Sequence, residues 1–138
     1  MYNQSYSSEL DFVKALRQVF SKYKLTPVSK ATLIAVYRQL IADQKIETKS
    51  NFEKLLVKRA VRTLSGVSVI TVLTKPFSCP GKCVYCPTEP DMPKSYLSNE
   101  PAAARAKMNL FDPVRQVTMR IQALENNGHK VDKLEIMV

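Results

Sequence analysis

Cys79, Cys83 and Cys86 are the only cysteines of the chain, and they fall within eight residues as CxxxCxxC. Thiolates are soft ligands, and three of them on one tight loop can hold three irons of a four-iron cluster while the fourth iron stays open to a small molecule. Two other uses compete. A structural zinc site closes a tetrahedron, and the one histidine that could complete it is His129, 43 residues beyond Cys86. Buried inert thiols are the third use, but Pro80 and Gly81 keep this backbone out of a helix, and three thiols so close together would make an odd core. Cluster binding is the expectation.

Such a loop needs elements to position it. Val67, Val69, Ile70, Val72 and Leu73 form an apolar, β-branched run between Gly66 and Pro76, which reads as a strand buried on both faces and leading straight into the cysteines. Pro101 opens a short helix running to Met108. Asp112 followed by Pro113 has the form of an N-cap with proline at the first helical position. Val114, Val117, Ile121 and Leu124 mark the helix that follows, and Gly128 suits its left-handed end. Leu134, Ile136 and Val138 begin a second strand. Strand, long loop, helix, strand is a βαβ unit with parallel strands, and in barrels of such units the active site lies at the C-terminal strand ends, where this loop emerges.

The first half of the chain reads differently. Phe12, Val13, Leu16, Val19, Phe20 and Tyr23 recur at helical spacing, and Leu33, Ile34, Val36, Tyr37, Leu40 and Ile41 do so after Pro27. A third helix is expected from a capping box of Ser50 and Glu53, with Phe52, Leu55, Leu56, Ala60 and Val61 as a buried stripe ending near Arg62. Aromatic residues on such stripes are core rather than base-stacking platforms. The sequence thus divides into a helical segment, 1–63, and an α/β segment, 64–138.

At 138 residues with 45% hydrophobic residues and a formal charge of +9, the chain suits one or two small folded domains. Residues 1–66 carry 12 Lys and Arg against 5 Asp and Glu, and residues 67–138 carry 9 against 7. The basic excess therefore belongs to the helical half, which suggests a polyanionic partner, or else a solvated lysine-rich surface. Neither a signal peptide nor a transmembrane stretch is visible, so a cytoplasmic protein is expected, where thiols stay reduced and a metal is the natural use for three of them.

The cysteine spacing, with Tyr85 directly before the third cysteine, resembles the signature of the radical S-adenosylmethionine (SAM) superfamily. Around it stand Arg62-Thr63-Leu64-Ser65-Gly66, Thr74-Lys75-Pro76, Cys79-Pro80, Cys86-Pro87, Ser95-Tyr96, Glu100-Pro101, Arg105-Ala106, Asp112-Pro113, Gly128-His129 and Val131-Asp132-Lys133. In that order they resemble the family of elongator catalytic subunits, tRNA-uridine acetyltransferases that join a radical SAM domain to a C-terminal GNAT acetyltransferase domain. The likeness runs from about Arg62 to Val138, and the helical segment resembles the family's tRNA-binding region more loosely.

The resemblance implies an N-terminal three-helix tRNA-binding segment followed by the first βα(β) unit of a truncated, TIM-like radical SAM barrel. It implies a carboxymethyl-type modification at C5 of the tRNA wobble uridine, with a [4Fe–4S] cluster on Cys79, Cys83 and Cys86, SAM on the open iron, and acetyl-CoA as the acetyl source. Lys133 inherits an acetyl-CoA contact and Tyr85 a place beside SAM. Lys14, Arg17, Lys54, Lys58, Arg59 and Arg62 become candidate phosphate contacts, and the implied partners are tRNA and either a second copy or elongator-type accessory subunits. Ser95, Tyr96, Glu100 and Arg105 are assigned no catalysis, since a turn entering a helix needs such residues anyway, and His129 reads as a cap-region or surface histidine.

The chain departs from the family in two places. Thr88 and Glu89 stand where many members carry a glycine pair, and the sequence stops at Val138, before the glycine pair with which the family binds the SAM amino group. An isolated chain is therefore expected to supply cluster ligands and a tRNA surface without turnover. The competing expectation is a non-catalytic basic RNA-binding module whose cysteines hold a structural zinc or stay free.

Overall fold

The computed structural model describes residues 2–138, which form five α-helices, a short 3-10 turn and two strands. They group into two compact units. One runs to Leu64 and takes in Glu125–His129; the other is Ser65–Leu124 with Lys130–Val138.

In the first unit α1 (Glu9–Lys22) and α2 (Lys30–Ala42) begin at serine caps. Ser8 accepts the Asp11 amide and Ser29 the Thr32 amide, each satisfying a helix-terminal N–H that has no partner within the helix. With α3 (Ser50–Leu56) they close around Phe12, Ile34, Tyr37 and Leu56. Phe52 packs edge-on to Phe12, centroids 5.7 Å apart, and lies 5.4 Å from Tyr37, so the aromatic residues of the stripes are core as expected. Tyr23, by contrast, lies past the end of α1 and is exposed.

The expected capping box is absent. Ser50 is the first residue of α3, Lys49 occupies the cap position, and no side chain caps it. The helix is also shorter than its apolar stripe suggested. Val57 is extended, the Lys58 amide donates to the Asn127 carbonyl, and Arg59 takes a left-handed φ of 56° before the 3-10 turn Ala60–Thr63. Those breaks turn Ala60 and Val61 out to solvent.

The second unit holds β1 (Ser68–Thr71), α4 (Pro101–Met108), α5 (Pro113–Asn126, whose last two residues group with the first unit) and β2 (Leu134–Met137). The strands pair in parallel, with Ser68 opposite Leu134 and Thr71 opposite Met137, making the predicted βαβ connectivity and a mixed α/β fold. Asp112 caps α5 by accepting the Arg115 amide at 2.8 Å, with Pro113 at its first position. Ile70, Val72 and Leu124 are buried with Val117, Ile121 and Leu134 around them. Val114, expected on this face, is exposed, and so is Val138. The strand is covered on one face only: Ser68 and Ile70 are buried, while Val69 is 40% exposed, because α5 packs against one side of a two-stranded sheet.

Gly128 ends α5 at φ 84°, a conformation that costs an L-residue steric strain. A β-carbon there would sit 3.1 Å from Ile34 Cδ1 and 3.3 Å from Val57 Cα. Gly128→Ala is expected to lower stability by about 1–3 kcal/mol, from strain and overpacking together. Chemical denaturation measures it, and a stability equal to that of the parent would refute the account.

Candidate functional site

The cysteine loop starts where β1 ends. Leu73 is buried, and its backbone is held by the buried Gln116 side chain of α5: Gln116 Oε1 accepts the Leu73 amide at 3.0 Å and Gln116 Nε2 donates to the Leu73 carbonyl at 2.9 Å. Both polar groups of this buried residue, two positions past the end of β1, are thereby satisfied away from water. From Thr74 to Asn99 the chain forms no helix or strand, a length without regular structure that in compact domains usually accompanies function.

The outgoing arm of this loop carries the thiols into solvent. Cys79 and Cys83 are exposed free thiols, Cys86 is half-buried, and Phe77, Val84 and Tyr85 stand almost fully exposed. Tyr85 therefore contacts no packed surface. Gly81 lies between the first two thiols: a β-carbon on it would sit 3.5 Å from Cys79 Sγ and 3.6 Å from Cys83 Sγ, so both sulfurs approach one stretch of bare backbone. Cys86 Sγ lies 3.1 Å from Ser95 Oγ. Among the described residues no group of three or more His, Cys, Asp or Glu side chains is arranged in this conformation to hold a metal ion. The donor set itself fits a soft iron–sulfur group, since three free thiols share one loop and two of them lie against the same glycine.

The returning arm is anchored. Met92 is buried with Leu73, Ala103 and Ala106, and Tyr96 packs against the same cluster. Glu89 folds the arm over by accepting the Ser98 amide at 2.8 Å, while its carbonyl accepts the Met92 amide. Glu100 caps α4 through its backbone carbonyl, which accepts from Ala104, and its side chain makes no cap bond. The Arg105 carbonyl accepts from Asn109 Nδ2, at the end of the same helix.

The remaining candidate residues lie elsewhere. Lys133 is exposed just before β2, and its carbonyl accepts the Ser68 amide at 2.9 Å. His129 is buried, not on the surface, with Nδ1 3.0 Å from the Thr63 hydroxyl. Lys14, Arg17, Lys54, Lys58, Arg59 and Arg62 are all exposed on the first unit. The ion pairs between side chains of the described residues, Lys30 with Glu9 and Lys45 with Asp43, involve none of them. No helix among the described residues is long and apolar enough to cross a membrane.

Residue pattern alone missed Gln116, Glu89 and Ser95. Gln116 stands two turns before Leu124 on the inward face of α5, and that phase was its one available signal. The partners of Glu89 and Ser95 depend on how an irregular loop returns, which no periodicity encodes.

Comparison with profiles of known families finds no match. Comparison with individual proteins does. The chain is 44% identical over 98 residues to the tRNA uridine(34) acetyltransferase of Methanocaldococcus infernus, a match covering 67% of this chain and 18% of that protein. It is 37% identical over 131 residues to Elongator complex protein 3 of Drosophila melanogaster, covering 87% and 23%. Stretches that long within 138 residues necessarily take in all three cysteines. The cysteine loop lies in a segment homologous to these proteins. A further relative, the tRNA uridine(34) acetyltransferase of Dehalococcoides mccartyi, is 43% identical over 59% of the chain. The chain spans about a fifth of the length of these relatives.

The Ser98 hydroxyl, and after it the Ser98 amide, hold the Glu89 carboxyl below its ordinary range. A depressed carboxylate contributes order above its unfolded value of about 4.3 and loses it as the pH falls through the folded value. The Ser98 amide resonance is therefore expected to titrate with a midpoint under that value, and Glu89→Gln to abolish the transition; a midpoint at or above it would contradict the geometry.

Proposed function

We propose that this chain is the cluster-bearing and tRNA-binding portion of a tRNA wobble-uridine acetyltransferase of the elongator catalytic-subunit type, placing a carboxymethyl-type group at C5. The observation that carries the reading is the three-thiol loop leaving the C-terminal end of a strand in a parallel βαβ unit, within a segment homologous to tRNA uridine(34) acetyltransferases. Such a unit is the start of a radical SAM barrel, with 64–138 as its first part and 1–63 as the basic helical part.

Cys79, Cys83 and Cys86 would hold a [4Fe–4S] cluster, which when bound would supply the one-electron reduction of SAM. The chain's own residues do the rest of what this portion contributes. Gln116 fixes the strand end from which the loop departs, and Met92 with Tyr96 fixes its return. The exposed ring of Tyr85 is free to lie against SAM, and Lys133, at the start of β2, offers an ammonium to the phosphates of acetyl-CoA. Lys14, Arg17, Lys54, Lys58, Arg59 and Arg62 neutralise tRNA phosphates, so binding releases counterions and weakens with salt. The protein acts in the cytoplasm, as a homodimer or with elongator-type accessory subunits, and the isolated chain does not turn over tRNA.

Anaerobic reconstitution with iron and sulfide is expected to load about four irons and four sulfides per chain, as the cluster's stoichiometry requires. Cys→Ala at any of the three positions should abolish the loading. One zinc per chain with no iron or labile sulfide would replace this reading with a structural zinc module.

The tRNA affinity is expected to fall as a power of salt concentration. Removing two of the six charges, with Lys14→Ala and Arg17→Ala, should make the logarithmic slope shallower by about 1.4–1.8. Salt-insensitive binding, or no binding, would take the basic helices out of the functional account.

A further inference from the structure

We propose that Ser95 is a positioning residue for the cluster: its hydroxyl donates a hydrogen bond to the Cys86 sulfur, orienting that ligand and making the cluster easier to reduce. The inference rests on the reading that Cys79, Cys83 and Cys86 hold an iron–sulfur cluster.

Three observations carry it. The first is the contact itself, 3.1 Å from Ser95 Oγ to Cys86 Sγ. Between a thiol and a hydroxyl either group donates, but once the sulfur is a thiolate ligand it has no proton, and the hydroxyl is the donor. The second is conformation. Ser95 has φ 74°, in the left-handed region, at a strain of order 1 kcal/mol for a residue with a β-carbon. Strain of this kind persists only where surrounding structure enforces it, and here the enforcement is visible on both sides. Met92 and Tyr96 are anchored in the apolar cluster, the Tyr96 amide donates to the Pro93 carbonyl, the Ser95 amide reaches the Pro87 carbonyl at 3.4 Å, and Lys94 Nζ bonds the Thr88 hydroxyl. The anchored arm thus folds back on the residue that follows Cys86 and holds the Ser95 hydroxyl against the sulfur.

The third observation is asymmetry. Cys86 is the half-buried thiol of the three, and it is the one with a side-chain hydroxyl 3.1 Å from its sulfur, in a contact that is open to solvent. Cys79 and Cys83 face solvent over Gly81, where water can supply the same donors. Donation to a ligating sulfur draws electron density away from the irons and favours the reduced, more negative cluster, one of the recognised determinants of iron–sulfur potential. Partners that orient metal ligands from behind contribute about 10–100-fold in metal retention.

The test uses Ser95→Ala, which removes the hydroxyl and keeps the strain, and Ser95→Gly, which removes both. Parent and variants are reconstituted anaerobically, and each is read by iron and sulfide content, by the rate of iron loss to a chelator, and by a redox titration followed by electron paramagnetic resonance. The expected result is four-iron loading in all three, with both variants titrating at lower potential than the parent and losing iron about 10–100-fold faster. Equal potentials and equal rates would overturn the proposal while leaving the cluster reading intact. A shift in Ser95→Ala that Ser95→Gly restores to the parent value would also overturn it, because backbone strain and not the hydroxyl would be the cause. A parent chain that takes up neither iron nor sulfide removes the cluster reading and this proposal together.

Discussion

At Leu73 the backbone leaves the sheet while still buried, and an N–H and a C=O left bare there would each cost about 1–3 kcal/mol. The Gln116 amide meets both. It can do so because α5 is held in phase at one end by Asp112, which caps it, and along its length by Val117, Ile121 and Leu124 against Ile70 and Val72. The same residue that closes the strand's hydrogen bonding, Leu73, is packed on its side-chain face by Met92, Ala103 and Ala106. Strand end, helix α4 and returning loop are therefore fixed at one point. The thiols are carried between two anchored ends of a segment that forms no regular structure of its own.

What could be read from the sequence was whatever a period or a cap encodes. The parallel βαβ order, the α4 start at Pro101, the Asp112 cap and the Gly128 terminus all follow from local chemistry that leaves few alternatives. The failures share a cause. Ser50 and Glu53 satisfy the pattern of a capping box, yet the helix starts one residue earlier relative to it, and a pattern cannot report phase by itself. The apolar stripe through Ala60 and Val61 continues the helical period past the point where Arg59 turns left-handed and the Lys58 amide finds Asn127, a partner 69 positions away. β1 looked buried on both faces because its residues are apolar on both; burial depends on what covers each face, and α5 covers one. At the site, the three cysteines were legible from type and spacing as free thiols gathered on one loop, while the contacts of Glu89, Ser95 and Gln116 were not, because their partners are set by the tertiary path of the loop.

The two arms of that loop divide the work between adaptability and order. In the proposed cluster site, an arm that wraps an inorganic group gains little from being pre-packed against the protein, since the group itself would supply the bonds that order it. Cys79 and Cys83 accordingly lie in solvent, each sulfur within van der Waals reach of the Gly81 backbone. An arm that, as proposed, tunes such a group through Ser95 cannot be left loose. It is the one with the buried methionine, the Glu89 clasp on Ser98 and the left-handed serine.

Charge is divided along the chain in a parallel way. The helical half carries a net +7 and the half with the cysteines +2, from 12 against 5 and 9 against 7 ionised side chains. At physiological ionic strength a surface charge is felt over about 8 Å, so lysines scattered evenly over both halves would act weakly on a phosphate backbone and strongly on any anionic group bound at the thiols. The loop from Thr74 to Asn99 carries Lys75, Lys82 and Lys94 against Glu89 and Asp91, so its net charge is small and contacts such as that of Ser95 with Cys86 act there at short range. On the proposed reading, a polyanion drawn to the helices by long-range attraction and a soft metal group governed by short contacts at the loop would be tuned by separate substitutions, because the two interactions differ in range as well as in chemistry.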